Sequence, residues 1–160
     1  MSNPRFADAH KALAFMSAGK AVVTFVSGKT GTRFSFRICR PNDEDEHGHK
    51  KPDNGFRFVS VLTQSDNTDP RAYAYIGFVK PNGVFFYGNK SRIGEKAPSV
   101  QAFKWGWQKL QQGILPEALS IFHEGRCGRC ARLLTVPASV VSGFGPECAG
   151  KVGAFYAEAA

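Results

Sequence analysis

The sequence predicts an α+β fold, an antiparallel β-meander of about five strands covered by helices, with a C-terminal zinc-knuckle module. The 160-residue chain is 42% hydrophobic and contains 14 phenylalanines, a composition typical of ordered globular proteins. Short runs of alternating apolar and polar residues, separated by turn signals, indicate consecutive antiparallel strands. Three of the four cysteines lie in the last third of the chain at metal-ligand spacing. We therefore divide the chain into a sheet body over 1–113 and a zinc-binding knuckle with a C-terminal helix over 114–160.

The first predicted elements are a helix and a hairpin. Apolar side chains recur at helical spacing over 6–16, and Gly19 follows as a stop signal. Alternating residues over 21–27 and 32–40, joined by a Gly-Lys-Thr-Gly turn, predict two paired strands. The phenylalanines of the second strand share one face and its arginines share the other. Residues 41–55 lack a periodic apolar pattern, so we expect an exposed loop there.

The meander continues through three more predicted strands, at 56–63, 72–79 and 84–88. Tyr73 and Tyr75 alternate on one face of the second of these. Such aromatic strand faces most often belong to a core, and a stacking platform for nucleic-acid bases is the alternative. A helix over 98–112, with Trp107 on its apolar stripe, is expected to cover one face of the sheet.

The cysteine spacing predicts a structural zinc site. Cys127 and Cys130 form a C-x-x-C pair, which lets two sulfurs converge on one ion from a tight turn. Gly128 between them supplies the backbone freedom that the turn needs. Cys148 follows a glycine- and proline-rich loop and is the third predicted ligand. The remaining cysteine, Cys39, lies within a predicted strand, and we expect it to be a small, partly buried side chain.

Tetrahedral zinc needs a fourth ligand, and we predict His123, four residues before the first cysteine. His47 or His49 from the long loop are the alternatives. A water in the fourth position would make the site catalytic in form, with Glu124 or Glu147 as the neighbouring carboxylate. The three-thiolate donor set suits a structural site better, so a zinc-dependent hydrolase is only a minor alternative and we predict no enzymatic activity.

The cysteine region also resembles a known but uncharacterised family. Its motifs are Gly-Arg-Cys-Gly-Arg-Cys at 125–130, a Leu-Thr-x-Pro step at 134–137 and Gly-x-Gly-Pro-x-Cys at 143–148. These resemble the C-terminal knuckle of a domain family of unknown function found in phage and actinobacterial proteins, closely over 122–151. An aromatic strand upstream, matched at 73–78, also occurs in that family. The resemblance implies the metal site and a phage or mobile-element origin, and it implies no reaction.

The charge balance favours an anionic partner. The chain carries 21 lysines and arginines against 13 acidic residues, a formal charge of +8, and a basic surface attracts nucleic acid. The predicted phosphate contacts are Arg126, Arg129, Arg132, Lys104, Lys109 and Lys151. Trp105, in the predicted second helix, is the candidate platform for stacking a base. The leading hypothesis is therefore a phage accessory protein that binds DNA or RNA.

A protein partner is the alternative. The acidic run at 43–46, in the predicted exposed loop, favours an inhibitor that binds a host defence or replication factor, itself a nucleic-acid-binding protein. The apolar run near the N-terminus is interrupted by lysines and too short to cross a bilayer, so we expect neither a signal peptide nor membrane association. Clustered thiols indicate a reducing compartment, and the expected location is the cytoplasm of a bacterial host.

Overall fold

A computed structural model of the chain describes residues 5–41, 44–66, 68–132, 134, 143–144 and 148. It contains α1 (Ala9–Met16), β1 (Lys20–Ser27), β2 (Arg33–Cys39), β3 (Arg57–Leu62), β4 (Tyr73–Val79), β5 (Phe85–Tyr87), α2 (Pro98–Gln111) and β6 (Leu119–His123). A short 3₁₀ turn over Pro70–Ala72 precedes β4. The predicted α+β class is confirmed. The C-terminal helix predicted within 114–160 lies outside the described residues, apart from single positions.

The six strands form one antiparallel sheet in the order β5-β4-β3-β2-β1-β6. The first five strands follow the predicted meander. The sixth was not predicted: β6 pairs with β1, with Phe25 opposite Ile121 and Val23 opposite His123. The segment 114–123, assigned to the zinc module in the predicted division, therefore contributes an edge strand to the body. The cysteine region continues directly from that strand.

Both helices begin at residues that favour a helix start. The Asp8 side chain accepts a hydrogen bond from the backbone N–H of Lys11 at 2.8 Å and caps α1. Pro98 opens α2 at a first-turn position, where its missing N–H costs nothing. The prediction of a helix over 98–112 is confirmed within one residue.

The helices cover one face of the sheet, which we call the inner face. Phe103 of α2 packs its ring against Phe25, Phe36 and Phe85, with ring centroids 4.9 to 6.1 Å apart. Trp107 stacks on Phe103 at 5.7 Å and is buried, as predicted. Burying several aromatic side chains together in this way contributes strongly to the hydrophobic stabilisation of the body.

The opposite side of the sheet, which we call the outer face, has no helix packed on it among the residues described. A β-bulge shapes this face: Ser60 pairs with Tyr75 and Val59 pairs with Gly77, so Ile76 is the extra residue in β4. The bulge keeps Tyr75 and the later Phe78 on the same side. The outer face therefore stays open to solvent across the middle of the sheet.

A buried arginine ties the loop before β3 to α1. Arg57 is 7% exposed, and its guanidinium donates to both carboxylate oxygens of Asp53 at 2.7 and 2.8 Å. Its Nε donates to the carbonyl of Ser17, just after α1, at 2.8 Å. These hydrogen bonds hold the pKa of Asp53 well below its usual range.

Within the described residues, neither helix has the length and apolar character needed to cross a membrane.

Candidate functional site

The three cysteines predicted to bind metal lie together. The sulfurs of Cys127, Cys130 and Cys148 are all within 4.8 Å of one another. A tetrahedral ion with Zn–S bonds of about 2.3 Å places its sulfurs about 3.8 Å apart, so sulfurs this close together can bind one ion. Two of the three side chains are buried and Cys130 is exposed. The cluster can therefore hold a metal ion near the surface of the protein.

Backbone hydrogen bonds fix the turn that carries the first two cysteines. The N–H of Cys127 donates to the carbonyl of Arg132, and the N–H of Ala131 donates to the carbonyl of Cys127, both at 2.8 Å. The N–H of Leu134 donates to the carbonyl of Gly125 at 2.8 Å and extends the pairing. Ala131, just after the second cysteine, has a φ of 65°, a left-handed conformation that alanine rarely adopts. The turn thus stores backbone strain beside the sulfur cluster.

Arg129 stabilises the sulfurs directly. Its backbone N–H lies 3.4 Å from Sγ of Cys127, and its guanidinium Nη1 lies 3.6 Å from Sγ of Cys148. Donors directed at sulfur favour the thiolate, the form that binds metal. Burial raises the pKa of the Cys148 thiol, the hydrogen bond from Arg129 lowers it, and hydrogen bonds with Cys130 and Cys127 raise it further. Arg129 is a predicted phosphate contact, and its guanidinium lies beside the sulfur of Cys148.

The cysteine turn rests on α1 of the body. The N–H of Gly128 donates to the carbonyl of Gly143 at 2.9 Å, which joins the two cysteine loops, and its carbonyl accepts from the N–H of Lys20 at 2.8 Å. Beneath the turn lies Phe15, whose ring packs at a tilt against that of Phe144, with the ring centroids 5.8 Å apart. Both phenylalanines are 1% exposed and belong to the main hydrophobic core.

His123 lies below the cysteines rather than among them. It is 5% exposed, and its ring packs 5.5 Å from those of Phe6 and Phe15. Its Nδ1 accepts a hydrogen bond from the backbone N–H of Gly125 at 3.0 Å. A neutral imidazole that accepts at Nδ1 carries its proton on Nε2, so ligation through either nitrogen would break this bond. His123 is outside the sulfur group as described, and its role as the fourth ligand stays a prediction.

The alternative histidines occupy a small exposed turn in the long loop. The carboxylate of Asp45 accepts from the backbone N–H groups of His47 and His49 at 2.8 and 2.9 Å. Neither imidazole belongs to the metal-binding group found among the described residues. Cys39 is also outside that group; it is half-buried, as predicted, and burial raises its pKa. None of these side chains is thus placed to complete the cluster.

The outer face of the sheet carries a row of aromatic rings. Phe58, Phe78 and Phe86 are register partners on β3, β4 and β5. Phe58 is 44% exposed and Phe86 is 41% exposed, and the Phe78 and Phe86 rings stack at 5.7 Å. Lys80 places its ammonium 4.5 Å from the centre of the Phe86 ring. The sequence does not predict this row, because no local pattern identifies the bulge that aligns these residues.

Tyr73 and Tyr75, which the sequence analysis places on one face of a strand, lie on this same outer face. Tyr75 is edge-on to Phe58 at 6.1 Å and opposite Ser60, which in turn pairs with Arg37. Tyr73 lies opposite Leu62, two residues from the Ser60–Tyr75 pair on the same face. Both tyrosines are half-buried, and burial raises the pKa of each. The expectation that they belong to the core is therefore wrong, because the helices cover the other face.

The predicted phosphate contacts do not share one surface. Lys104 and Lys109 lie on α2, on the inner side, where Lys104 pairs with Glu95 at 3.0 Å. Trp105 lies on the same helix, 44% exposed. It lines an apolar cavity of about 330 Å³ between α2 and the β1–β2 hairpin. Lys151 lies outside the described residues.

Arg126 lines a cleft at the other end of the outer face. The cleft has a volume of about 450 Å³ and lies between the sheet and the cysteine turn. Its walls are Val22, Arg37, Thr68, Pro70, Tyr73, Glu124 and Arg126. Arg132, the third arginine of the turn, is exposed and is not part of this wall. The cleft combines basic, acidic and aromatic groups, and the sequence reading did not identify it.

Comparison with known proteins matches only the cysteine region. A family of unknown function (DUF6011) matches residues 118–153, which is under a quarter of the chain. This match agrees with the resemblance to an uncharacterised domain family, and the predicted phage or actinobacterial origin stays a prediction. No curated protein and no solved structure matches the chain. The matched segment begins just before β6 and includes all three clustered cysteines.

Proposed function

We propose that this chain is a non-enzymatic accessory protein of a phage or mobile element that binds single-stranded nucleic acid on the outer face of its sheet. One observation carries the proposal: that face, uncovered in the described structure, presents exposed aromatic rings beside arginine and lysine side chains. Exposed aromatic patches of this kind mark interaction sites in soluble proteins. A formal charge of +8 makes a polyanion the complementary partner.

The chemistry of the face favours a single strand over a duplex. Unpaired bases can stack on Phe58 and Phe86, and each stacked base contributes about 1–3 kcal/mol to binding. Arg37 lies on β2, opposite Ser60 of β3, and would contact phosphates along the same path. A paired duplex hides its base faces, and a broad open sheet offers no helix to enter a major groove. Binding should therefore weaken with salt and depend on the aromatic rings.

Zinc is the ion we propose for the cysteine cluster. Three thiolates form a soft donor set that suits zinc, and their charge favours a structural site over a catalytic one. The ion would hold Cys127, Cys130 and Cys148 in one arrangement, with His123 predicted as the fourth ligand once its hydrogen bond to Gly125 is released. Cobalt substitution tests this, because the visible spectrum of the cobalt form distinguishes three sulfurs with a nitrogen from three sulfurs with water.

A binding assay with matched aromatic variants tests the function. Fluorescence anisotropy would measure the affinity for labelled single-stranded RNA, single-stranded DNA and duplex DNA at low and moderate salt. Phe58→Ala should weaken single-strand binding by about fivefold to a hundredfold, the equivalent of one lost stacking contact. Trp105→Ala is the control, because Trp105 is equally exposed, at 44%, but lies on the helical side. Loss of binding in the Trp105 variant alone, or no binding by the wild type, would refute the proposal.

Inhibition of a host nucleic-acid-binding protein is the second candidate function. The turn over 44–50 presents exposed carboxylates and is closed by the bridge between Glu44 and Lys50. A fixed acidic turn can occupy a basic surface that otherwise binds phosphate. Purification of the tagged protein from nuclease-treated host lysate separates the two functions. A stoichiometric protein partner would favour inhibition, and recovery of nucleic acid only without nuclease would favour direct binding.

A further inference from the structure

The cleft beside the cysteine turn has the features of a site for one base. Its volume of about 450 Å³ lies within the range of small-molecule sites, about 300–1,000 Å³. Tyr73 provides an aromatic wall, and Val22 and Pro70 provide apolar surface. The cleft continues from the outer face, so a strand lying across the aromatic row can direct a base into it. Stacking on a tyrosine ring is how proteins commonly hold a splayed base.

The charges around the cleft are arranged for a base flanked by phosphates. Arg37 comes from β2 and Arg126 from the cysteine turn, and both line the cleft together with the carboxylate of Glu124. Glu124 lies close enough to Tyr73 that its negative charge, after the effect of burial, raises the pKa of the phenol. An acidic group in a cleft that is also lined by two arginines is unusual for a surface that only attracts phosphate. It suits a surface that also reads hydrogen-bond donors on a base.

We propose that this cleft binds a guanine of the single strand, with the Glu124 carboxylate accepting from the guanine Watson–Crick edge and Tyr73 stacking on the ring. This inference rests on the proposed single-strand binding. Guanine alone presents two adjacent donors on that edge, at N1 and at the exocyclic N2. A carboxylate presents two acceptor oxygens in matching positions.

The position of Glu124 is compatible with this role. Its Oε1 already accepts a hydrogen bond from Oγ1 of Thr24 at 3.3 Å. That bond steadies the carboxylate from the β1 side. Each carboxylate oxygen has two acceptor sites, so the group can bind Thr24 and a base at the same time.

The other bases fit less well. Uracil and thymine place a single donor between two carbonyl oxygens, which a carboxylate repels. Cytosine and adenine each offer one amino group beside an acceptor nitrogen. A well-placed bidentate contact is worth about a tenfold or greater preference over a base that lacks it. The expected order of affinity therefore has guanine first and uracil last.

The test compares oligouridylates that differ only in one central base, G, C, A or U, by anisotropy at low salt. The wild type should bind the central-G strand about tenfold more tightly than the all-U strand. Glu124→Gln should abolish that preference, because the amide has one acceptor and turns a donor toward the base. It should raise the affinity for the all-U strand, because the carboxylate that repels the uracil carbonyl oxygens is gone. Glu117→Gln, which removes an equal charge from the exposed loop before β6, should keep the preference.

The outcomes separate this inference from the function on which it rests. Equal binding of all four strands would overturn the guanine site and leave single-strand binding intact. Absence of binding to every strand would overturn the proposed function itself. A guanine preference that survives in Glu124→Gln would refute the role of the carboxylate. Tyr73→Leu should weaken the binding of all four oligonucleotides. Tyr73→Phe should bind them as the wild type does, because only the stacking surface is needed.

Discussion

Gly128 is the point at which the cysteine turn rests on the body, and its replacement by alanine tests that docking. A Cβ at this position would lie 2.6 Å from Cδ2 and 2.8 Å from Cε2 of the Phe15 ring. It would also lie 3.0 Å from the backbone oxygen of Phe15. Carbon atoms in contact normally lie about 3.5–4.0 Å apart, so either the ring or the turn must move by about 1 Å.

Neither partner has room to move. Phe15 is 1% exposed and packed against Phe6 and Phe144. Gly128 is held by hydrogen bonds at both its N–H and its carbonyl. Overpacking a filled core costs about 1–3 kcal/mol, and each backbone hydrogen bond strained by the shift adds a fraction of about 1 kcal/mol. We therefore expect Gly128→Ala to lower the free energy of unfolding by about 2–3 kcal/mol.

Urea unfolding in zinc-containing buffer, followed by circular dichroism, measures this loss. Gly94→Ala is the matched control, because an added Cβ there meets no atom within 4 Å, and it should change stability by less than about 0.5 kcal/mol. In a Phe15→Leu background, the cost of Gly128→Ala should fall by about 1 kcal/mol or more, since the clash is with the ring. Equal stability of the Gly128 and Gly94 variants would refute the docking described above.

Three further predictions concern stability and metal. Asp53→Asn should lower the free energy of unfolding by about 1–2 kcal/mol at pH 7, because it breaks a charged pair with Arg57 that is partly screened by solvent. The pKa of Asp53 is lowered by folding, so the pair stabilises above about pH 4 and the wild-type advantage should shrink as unfolding is repeated at lower pH. Ala131→Gly should raise the free energy of unfolding by about 0.5–1 kcal/mol, because glycine tolerates the left-handed φ; a loss of stability would contradict this. Chelation of the metal, or Cys148→Ser, should expose the cysteine turn to trypsin while circular dichroism still shows the sheet, and unchanged protease resistance would argue against a metal at this site.

Local periodicity was sufficient to predict most elements of the fold. The second helix and the first five strands each carry a repeat that identifies them without reference to the rest of the chain. The edge strand β6 was missed although Leu119, Ile121 and His123 alternate. It is only five residues long, and a histidine at its last buried position does not continue the apolar pattern that identifies a strand.

The site was predictable only where its residues are close in sequence or carry a recognisable spacing. The convergence of Cys127, Cys130 and Cys148 followed from the C-x-x-C pair and the glycine-rich approach to the third cysteine. The contact of Arg129 with Cys148 joins residues that are distant in sequence, and no local pattern places that guanidinium. The choice of face for Tyr73 depends on where the helices pack, which is also a non-local property.

The cleft is a further feature that no local sequence pattern predicts. Its walls come from β1, β2, the first residue of β4, the turn before it and the residues after β6. Arg37 lies in β2 and Glu124 directly follows β6, and the two reach the same cleft because β6 adds to β1, the strand next to β2. Without that strand, Glu124 beside the cysteine turn has no connection to the aromatic outer face. A single missed strand therefore concealed the candidate base site.

Mapping of bound nucleic acid by NMR tests the central claim most directly. Isotope-labelled, zinc-loaded protein would be titrated with a short single-stranded oligonucleotide, and backbone amide and aromatic side-chain signals would be followed. The account predicts shifts concentrated on the outer face, at Phe58, Tyr75 and Phe86, and at the cleft residue Tyr73, with Trp105 unchanged. Shifts confined to α2, or no shifts at saturating oligonucleotide, would contradict it.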